Sequence, residues 1–363
     1  MSILQPLMKK PFRVLSIDGG GMRGVYSAAY LAGLLDLFAR ERGVTRLDIG
    51  KGFDLIVGTS TGAILACAAA IGIPMDEVIQ LYRENGPKIF PMRLPNGPAS
   101  IPQLWTRPKY LKQGEKALRE ALQKVLKDKT LGQLYSERGI ALSIPAVEMG
   151  QQRSWVFKTP HLNGHRDEKF RLVDICIATS AAPLFRSLAL VPTNDGLGGN
   201  LVFADGGLWA NNPVLVGLTD ALKMAKNDRP IEIFALGTCP RPEGEQIKPS
   251  EVHRGLWGWK FGGKAMQLSL SAQEFAFDNM ARMLAQSFSD LGRPVSVIRF
   301  PNGHVPADIL QYLDLDDARV LAIDKLITQA RADVNITKSS CDNPIDESGQ
   351  QIARLMRDLP EIT

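Results

Sequence analysis

The sequence predicts an α/β protein built around a mainly parallel sheet. From Phe12 to about Asp220, short β-branched or apolar runs alternate with longer segments of helical periodicity, the pattern of successive β-α units. Two of these runs end in glycine-rich turns that open a helix. The chain has 363 residues, 45% of them apolar and 22% charged, which is ordinary globular composition and enough to bury one large core or two smaller ones.

Arg13 to Asp18 reads as a first buried strand, followed by glycines and by Val25 to Arg40, where apolar residues recur at helical spacing. Phe53 to Val57 is a second strand that again passes through glycine into a helix. From Asn85 to Gly114 the prolines at 87, 91, 95, 98, 102 and 108 predict an irregular stretch, made basic by Lys88, Arg93, Arg107, Lys109 and Lys112. A packed connecting loop and a cover over a site are both open readings of it. Ile231 to Gly237 is another buried strand, and Pro240 to Gly263 a long loop rich in Pro, Gly and Trp. There, Trp257, Trp259 and Phe261 beside Lys260 and Lys264 either pack inward or meet a membrane interface. Gln267 to Phe288 reads as an amphipathic helix, Val295 to Phe300 as a strand, and Leu313 to Val334 and Gln350 to Arg357 as helices. With no internal repeat or low-complexity tract, the expected organisation is a catalytic core over 12–220. The C-terminal part over 221–363 completes the sheet, adds helices and offers a place for regulation.

Composition narrows the function classes. Cys67, Cys176, Cys239 and Cys341 lie far apart with no paired spacing, which points to buried reduced thiols rather than disulfides or a metal site. Lys9 and Lys10 follow a short apolar stretch, the reverse of a signal peptide's order, so a cytoplasmic location is expected. The longest apolar run, Gly62 to Met75, is too short to span a bilayer, leaving peripheral membrane contact. A net charge of +5 favours anionic partners, nucleotides or acidic lipid surfaces among them. The cations are dispersed and not interleaved with aromatics, which argues against a nucleic acid polymer as partner. Oligomeric state is open.

Two glycine-rich turns carry the chemistry. The first strand runs into Asp18, Gly19, Gly20, Gly21, Met22, Arg23 and Gly24, where backbone N–H groups can converge on an anion at a helix N-terminus. A dinucleotide fold would place an acidic residue at the end of the next strand, but Asp36 lies within the helix pattern instead. The second turn, Gly58-Thr59-Ser60-Thr61-Gly62, follows a strand and opens a helix, the setting of a serine nucleophile at a sharp elbow. The helix dipole and the N–H after the serine would assist there. A serine hydroxyl needs a base. His161 and His165 flank a polar turn and His253 lies in the Trp-rich loop, positions that solvent exposure explains. His304 follows a late strand, as the histidine of a Ser-Asp-His triad would. Asp205, ending an apolar strand before Gly206 and Gly207, is the competing base, helped if desolvation raises its pKa. Local spacing leaves both open.

Taken together, these elements resemble the patatin-like phospholipases over roughly Phe12 to Gly237, including Ala178-Thr179-Ser180-Ala181-Ala182-Pro183, Asn211-Asn212-Pro213 and the strand end Leu236-Gly237-Thr238. The resemblance implies a three-layer α/β/α fold with a C-terminal helical extension, an oxyanion hole over Gly19 to Gly24, a Ser60 acyl-enzyme and Asp205 as base in a Ser-Asp dyad. His304 is then a bystander. It implies release of fatty acid from membrane glycerophospholipids with no metal or redox cofactor, at the inner membrane face when active. Cys239 departs from the family, which often has glycine there. The chain is similar in size and in its first motif to the cyclic-GMP-AMP-activated phospholipases of bacterial antiphage defence, which implies a cyclic dinucleotide activator whose binding residues the sequence does not assign. A constitutive triad esterase and a noncatalytic nucleotide-binding regulator are the alternatives.

Overall fold

The computed structural model describes residues 10–94, 102–193, 198–226, 229–239, 247–255, 257–259, 262–301, 303 and 305–362. Strand β1 (Phe12–Ile17) leads into helix α1 (Gly24–Arg42), and β2 (Leu55–Gly58) into α2 (Thr61–Ile71). Helices α3 (Met75–Ile89), α4 (Pro102–Leu126) and α5 (Leu131–Arg138) precede the hairpin of β3 (Ala141–Glu148) and β4 (Arg153–Lys158). Helix α6 (Leu172–Thr179) is followed by β5 (Ala189–Pro192), β6 (Asn200–Asp205), the short α7 (Gly207–Ala210) and α8 (Val214–Met224). The remainder is β7 (Ile231–Leu236), α9 (Gly263–Asp290), β8 (Val295–Phe300), α10 (Val320–Asp342) and α11 (Glu347–Asp358).

These strands form one 8-stranded sheet in the order β5-β6-β3-β2-β1-β7-β8, with β4 also pairing to β3. Helical crossovers make the pairs from β3 through β8 parallel, as βαβ connections require. The turn at 149–152 is too short for a crossover, so β4 returns antiparallel, and β6 and β5 extend the sheet in the same sense. Alternate residues of the central strands face opposite sides. Leu15, Ile17, Ile56 and Phe234 join α1, α2 and α10 in one core. Val14, Leu55, Val57 and Ile233 join α8 and α9 in the other, through Leu218 and Ala281. The result is the three-layer α/β/α architecture the sequence led us to expect.

Helix α2 is buried almost all round, which accounts for the apolar run from Gly62 as a core helix; among the described residues no helix is long and apolar enough to cross a membrane. All four cysteines are free and buried. The irregular stretch expected from Asn85 to Gly114 is corrected in part: α3 contains Pro87 and α4 contains Pro108, while 95–101 lies outside the described residues. Pro87 lies in the last turn of α3, so the helix ends soon after the missing N–H rather than being broken in its middle. Of its cations, Arg93 pairs with Asp314 at 2.6 Å and approaches Asp317 at 3.7 Å. The late helix begins at Val320 rather than Leu313, because 307–312 forms a 3-10 segment.

Helix α10, in the C-terminal part, clamps α1, the helix that follows the first glycine loop. Tyr26 donates its hydroxyl to Asp333 at 2.5 Å, and the Tyr30 and Thr337 hydroxyls lie 2.6 Å apart, all inside the core. Asp333→Ala would leave the Tyr26 hydroxyl without its acceptor and is expected to cost about 2 kcal/mol. The check is a lowered urea midpoint at unchanged slope.

Candidate active site

Two strands meet nearly end to end along β3. β2 runs parallel to it and sets Val57 opposite Ser143, while β6 runs antiparallel and sets Asp205 opposite Ala146. The turn leaving β2 therefore arrives at the end of β6. There the Ser60 hydroxyl donates to Asp205 Oδ2 at 2.7 Å.

Ser60 stands at φ 54° and ψ −123°, a left-handed conformation that costs a residue with a side chain on the order of 1–3 kcal/mol. The surroundings hold it there. Its N–H donates to the Thr179 hydroxyl oxygen at 3.0 Å, and that hydroxyl donates to the Pro145 carbonyl at 2.6 Å. Thr59 donates its hydroxyl to the Ala210 carbonyl at 2.6 Å and its N–H to the Ile17 carbonyl at 3.2 Å. Space explains the flanking glycines. A Cβ on Gly58 would lie 2.5 Å from the Gly62 carbonyl oxygen, and one on Gly62 would lie 2.4 Å from the Ile17 oxygen and 2.6 Å from that of Asp18. Thr61 begins α2, so its N–H is among the unpaired donors of the helix's first turn.

Asp205 is 4% exposed. Its Oδ1 accepts the Gly207 N–H at 2.6 Å, and its backbone is pinned where Asp205 and Gly206 donate to the Ala181 and Thr179 carbonyls at 3.0 and 3.1 Å. Burial pushes the carboxyl pKa from 3.8 up to about 6, against the lowering pull of the Gly207 N–H, the Ser60 hydroxyl and the nearby Arg186 cation.

The first glycine loop lies beside the serine. Gly21 takes φ 57°, and a Cβ there would sit 2.2 Å from the Leu315 carbonyl oxygen. Of the six residues expected to present N–H groups, four are committed within the fold. Gly19 donates to Asn211 O at 2.9 Å, Met22 to Leu315 O at 2.8 Å and Arg23 to Gly20 O at 3.1 Å, while the Gly24 N–H turns to Gly21 O and Met22 O. The Gly20 and Gly21 N–H groups have no partner among the described residues. Both residues line a cavity with Ser60 and Asp205, and its walls are mainly apolar, including Ile64, Leu81, Ile89 and Phe90.

The histidines are elsewhere. His161 is a correction: its side chain is fully buried 3.5 Å from Asp220, with Nδ1 2.7 Å from the Thr159 hydroxyl. His165 pairs with Glu168 at 2.9 Å, and His253 is exposed, as expected. His304 lies outside the described residues, as do Lys260 and Phe261; Trp257 is 52% exposed. Cys239 sits at φ 104°, a backbone angle that favours glycine. Among the described residues no His, Cys, Asp and Glu cluster could hold a metal. Sequence reasoning missed three contributors. Thr179 and Asn211 stood inside quoted motifs but carried no assigned role. Arg186, the third, had no local signal at all.

A family model described as patatin-like phospholipase matches residues 15–218. A cGAMP-activated phospholipase of Pseudomonas aeruginosa is 34% identical over 275 residues, covering 75% of this chain and 74% of its own. One from Vibrio cholerae is 28% identical over 340 residues, covering 89% and 90%. One from Escherichia coli is 30% identical over 289 residues, covering 77% and 78%.

The elbow's steric limits are directly testable. Gly62→Ala drives a methyl into two backbone carbonyls that have nowhere to move, so it is expected to destabilise the protein by at least about 2 kcal/mol. A thermal melt reads the loss.

Proposed function

This chain belongs to the patatin-like phospholipase family of lipid acyl hydrolases, and from that premise we propose that Ser60 and Asp205 form its catalytic dyad on membrane glycerophospholipids. The 2.7 Å hydrogen bond between them, at the edge of an apolar cavity, is the observation that carries the reading.

In this mechanism Asp205 takes the Ser60 proton as Oγ attacks the acyl carbonyl carbon. The negative charge passes to the carbonyl oxygen, where the unpaired N–H groups of Gly20 and Gly21 stabilise it. Met22, Arg23, Gly24 and Gly19 spend their N–H groups on holding that loop rather than on the oxyanion. As the tetrahedral intermediate collapses, Asp205 gives its proton to the departing glycerol oxygen, leaving the acyl group on Ser60. Water then loses a proton to Asp205 and attacks the acyl-enzyme. Fatty acid leaves, and the proton returns to Ser60. The acyl chain lies among Ile64, Leu81, Ile89 and Phe90, whose burial against lipid supplies affinity without polar contacts. No metal or redox group enters these steps.

Ser60→Ala is expected to abolish fatty-acid release from phospholipid vesicles and labelling by a fluorophosphonate; a variant that keeps turnover refutes the nucleophile. The acceptor is the carboxylate, so kcat/KM should rise with pH through about 6 and level off above. Asp205 also has a stability signature. Its pKa is raised on folding, so its stabilising contribution is full below the ordinary carboxylate range and is lost as pH rises through about 6. Asp205→Asn should therefore abolish turnover while holding or raising the melting temperature at pH 8.

We further propose that hydrolysis is switched on by a cyclic dinucleotide, as the names of the three bacterial relatives indicate for those proteins. The chain's net charge of +5 is compatible with a bis-phosphate ligand. On mixed phospholipid vesicles, activity should be low until a cyclic dinucleotide such as cyclic GMP-AMP or cyclic UMP-AMP is added. Equal rates with and without a panel of them would exclude the switch.

A further inference from the structure

Arg186 is a buried cation for which the described residues supply no ion-pair partner. It is 7% exposed and lines the same cavity as Ser60 and Asp205. Its backbone N–H is bound to the Ala182 carbonyl at 2.8 Å, but its guanidinium makes no hydrogen bond or ion pair among the described residues.

Other buried arginines are compensated. Arg13 is held by Glu232 and Asp358 at 3.1 and 2.8 Å, and Arg299 by Asp18 and Asp278, each at 2.7 Å. Arg107 donates to the Leu184 carbonyl at 2.8 and 2.6 Å. Arg186 has the Phe90 ring, 5.9 Å away, a contact that offsets only part of the cost of holding a charge in an apolar cavity. The two carboxylates that act on it through space, Glu115 and Asp205, are engaged elsewhere, Glu115 near Arg119 at 3.7 Å and Asp205 with Ser60. Burial draws the guanidinium pKa down to about 10, which leaves it charged at neutral pH. An apolar cavity thus keeps one planar fork of N–H donors unmatched beside the reacting serine.

Such a fork fits two oxygens of one tetrahedral anion. In a glycerophospholipid, a phosphodiester of that shape lies only a few bonds from the scissile ester. We propose that Arg186 is the subsite for the phosphodiester of the lipid substrate and selects phosphate-bearing ester lipids over neutral glycerides, a reading that rests on the Ser60–Asp205 dyad proposed above. Phosphate binding there neutralises the cation only when the correct lipid is present, so desolvation of Arg186 becomes part of substrate discrimination. The same charge lowers the pKa of Asp205, tying recognition of the headgroup to the strength of the base.

The test uses the full chain with cyclic GMP-AMP present, and compares phosphatidylcholine with a diacylglycerol of the same acyl chains in mixed micelles. In Arg186→Met the ratio of kcat/KM for phospholipid to that for diacylglycerol should fall about 10- to 100-fold, the range of a charge-assisted hydrogen bond. The fall should come mainly through KM for the phospholipid. Arg186→Lys keeps the charge without the fork and should fall between, so the comparison survives if the methionine variant folds poorly. In Arg186→Met the acid limb of the pH profile should also move to higher pH on both substrates, because Asp205 loses a neighbouring cation.

An unchanged substrate ratio in both variants overturns the proposal. So does weaker inhibition by oleate at an unchanged ratio, which would make the site one for the carboxylate of the released fatty acid. Failure of the dyad is separable, because turnover by Ser60→Ala would show it irrespective of how Arg186 variants behave.

Discussion

The contact between the first turn of α2 and the carbonyls of Ile17 and Asp18 is the constraint on which the site depends. Those carbonyls end β1 and begin the first glycine loop, while α2 begins immediately after Ser60. Gly62 allows the two backbones to touch at a distance no side chain could occupy. Their closeness sets Ser60 beside Gly20 and Gly21, and it also bends the chain so sharply that Ser60 must adopt a left-handed backbone. The two glycine motifs are thus a single packing solution seen from its two sides.

Asp205 completes this arrangement on different terms. In a triad, a third residue orients the base and compensates the charge it acquires. Here a backbone N–H, that of Gly207, orients one carboxylate oxygen and leaves the other for the serine. Burial makes the carboxylate more basic than it would be in water, and the proposed dyad accepts an unfavourably buried anion as the condition for having a base at all. That cost helps explain the number of backbone bonds fastening Asp205, Gly206 and Ser60 to the segment around Thr179.

Much of the fold was legible because its signals are local. The strands at Arg13, Phe53, Ile231 and Val295 are short apolar runs, and the helices between them have plain periodicity; their boundaries moved by only a few residues. Local signals misled where proline was read as a breaker without regard to its place in a helix. Pro87 lies near a helix end, where one lost bond is tolerable. His161 was taken for a turn residue because the carboxylate that buries it, Asp220, lies 59 positions further along the chain. At the site, motif spacing brought out Ser60 and Asp205 but not which N–H groups were already spent, since that depends on partners such as Leu315 and Asn211 on distant segments. Arg186 was invisible for a related reason: an arginine becomes informative only when its lack of a partner can be seen.

The head-on meeting of β2 and β6 along β3 has a consequence for the life of the chain. Ser60 and Asp205 lie 145 residues apart, and β3, the rung on which both strands align, is synthesised between them. Proteins emerge from the ribosome N-terminal end first, so a nascent chain can shape its serine elbow well before the aspartate exists. Until β6 docks on β3, the serine has no proton acceptor and the buried aspartate no site to occupy. On the dyad proposed above, the hydrolase therefore has no base until more than half of its chain has been made, by the order in which its sheet is assembled.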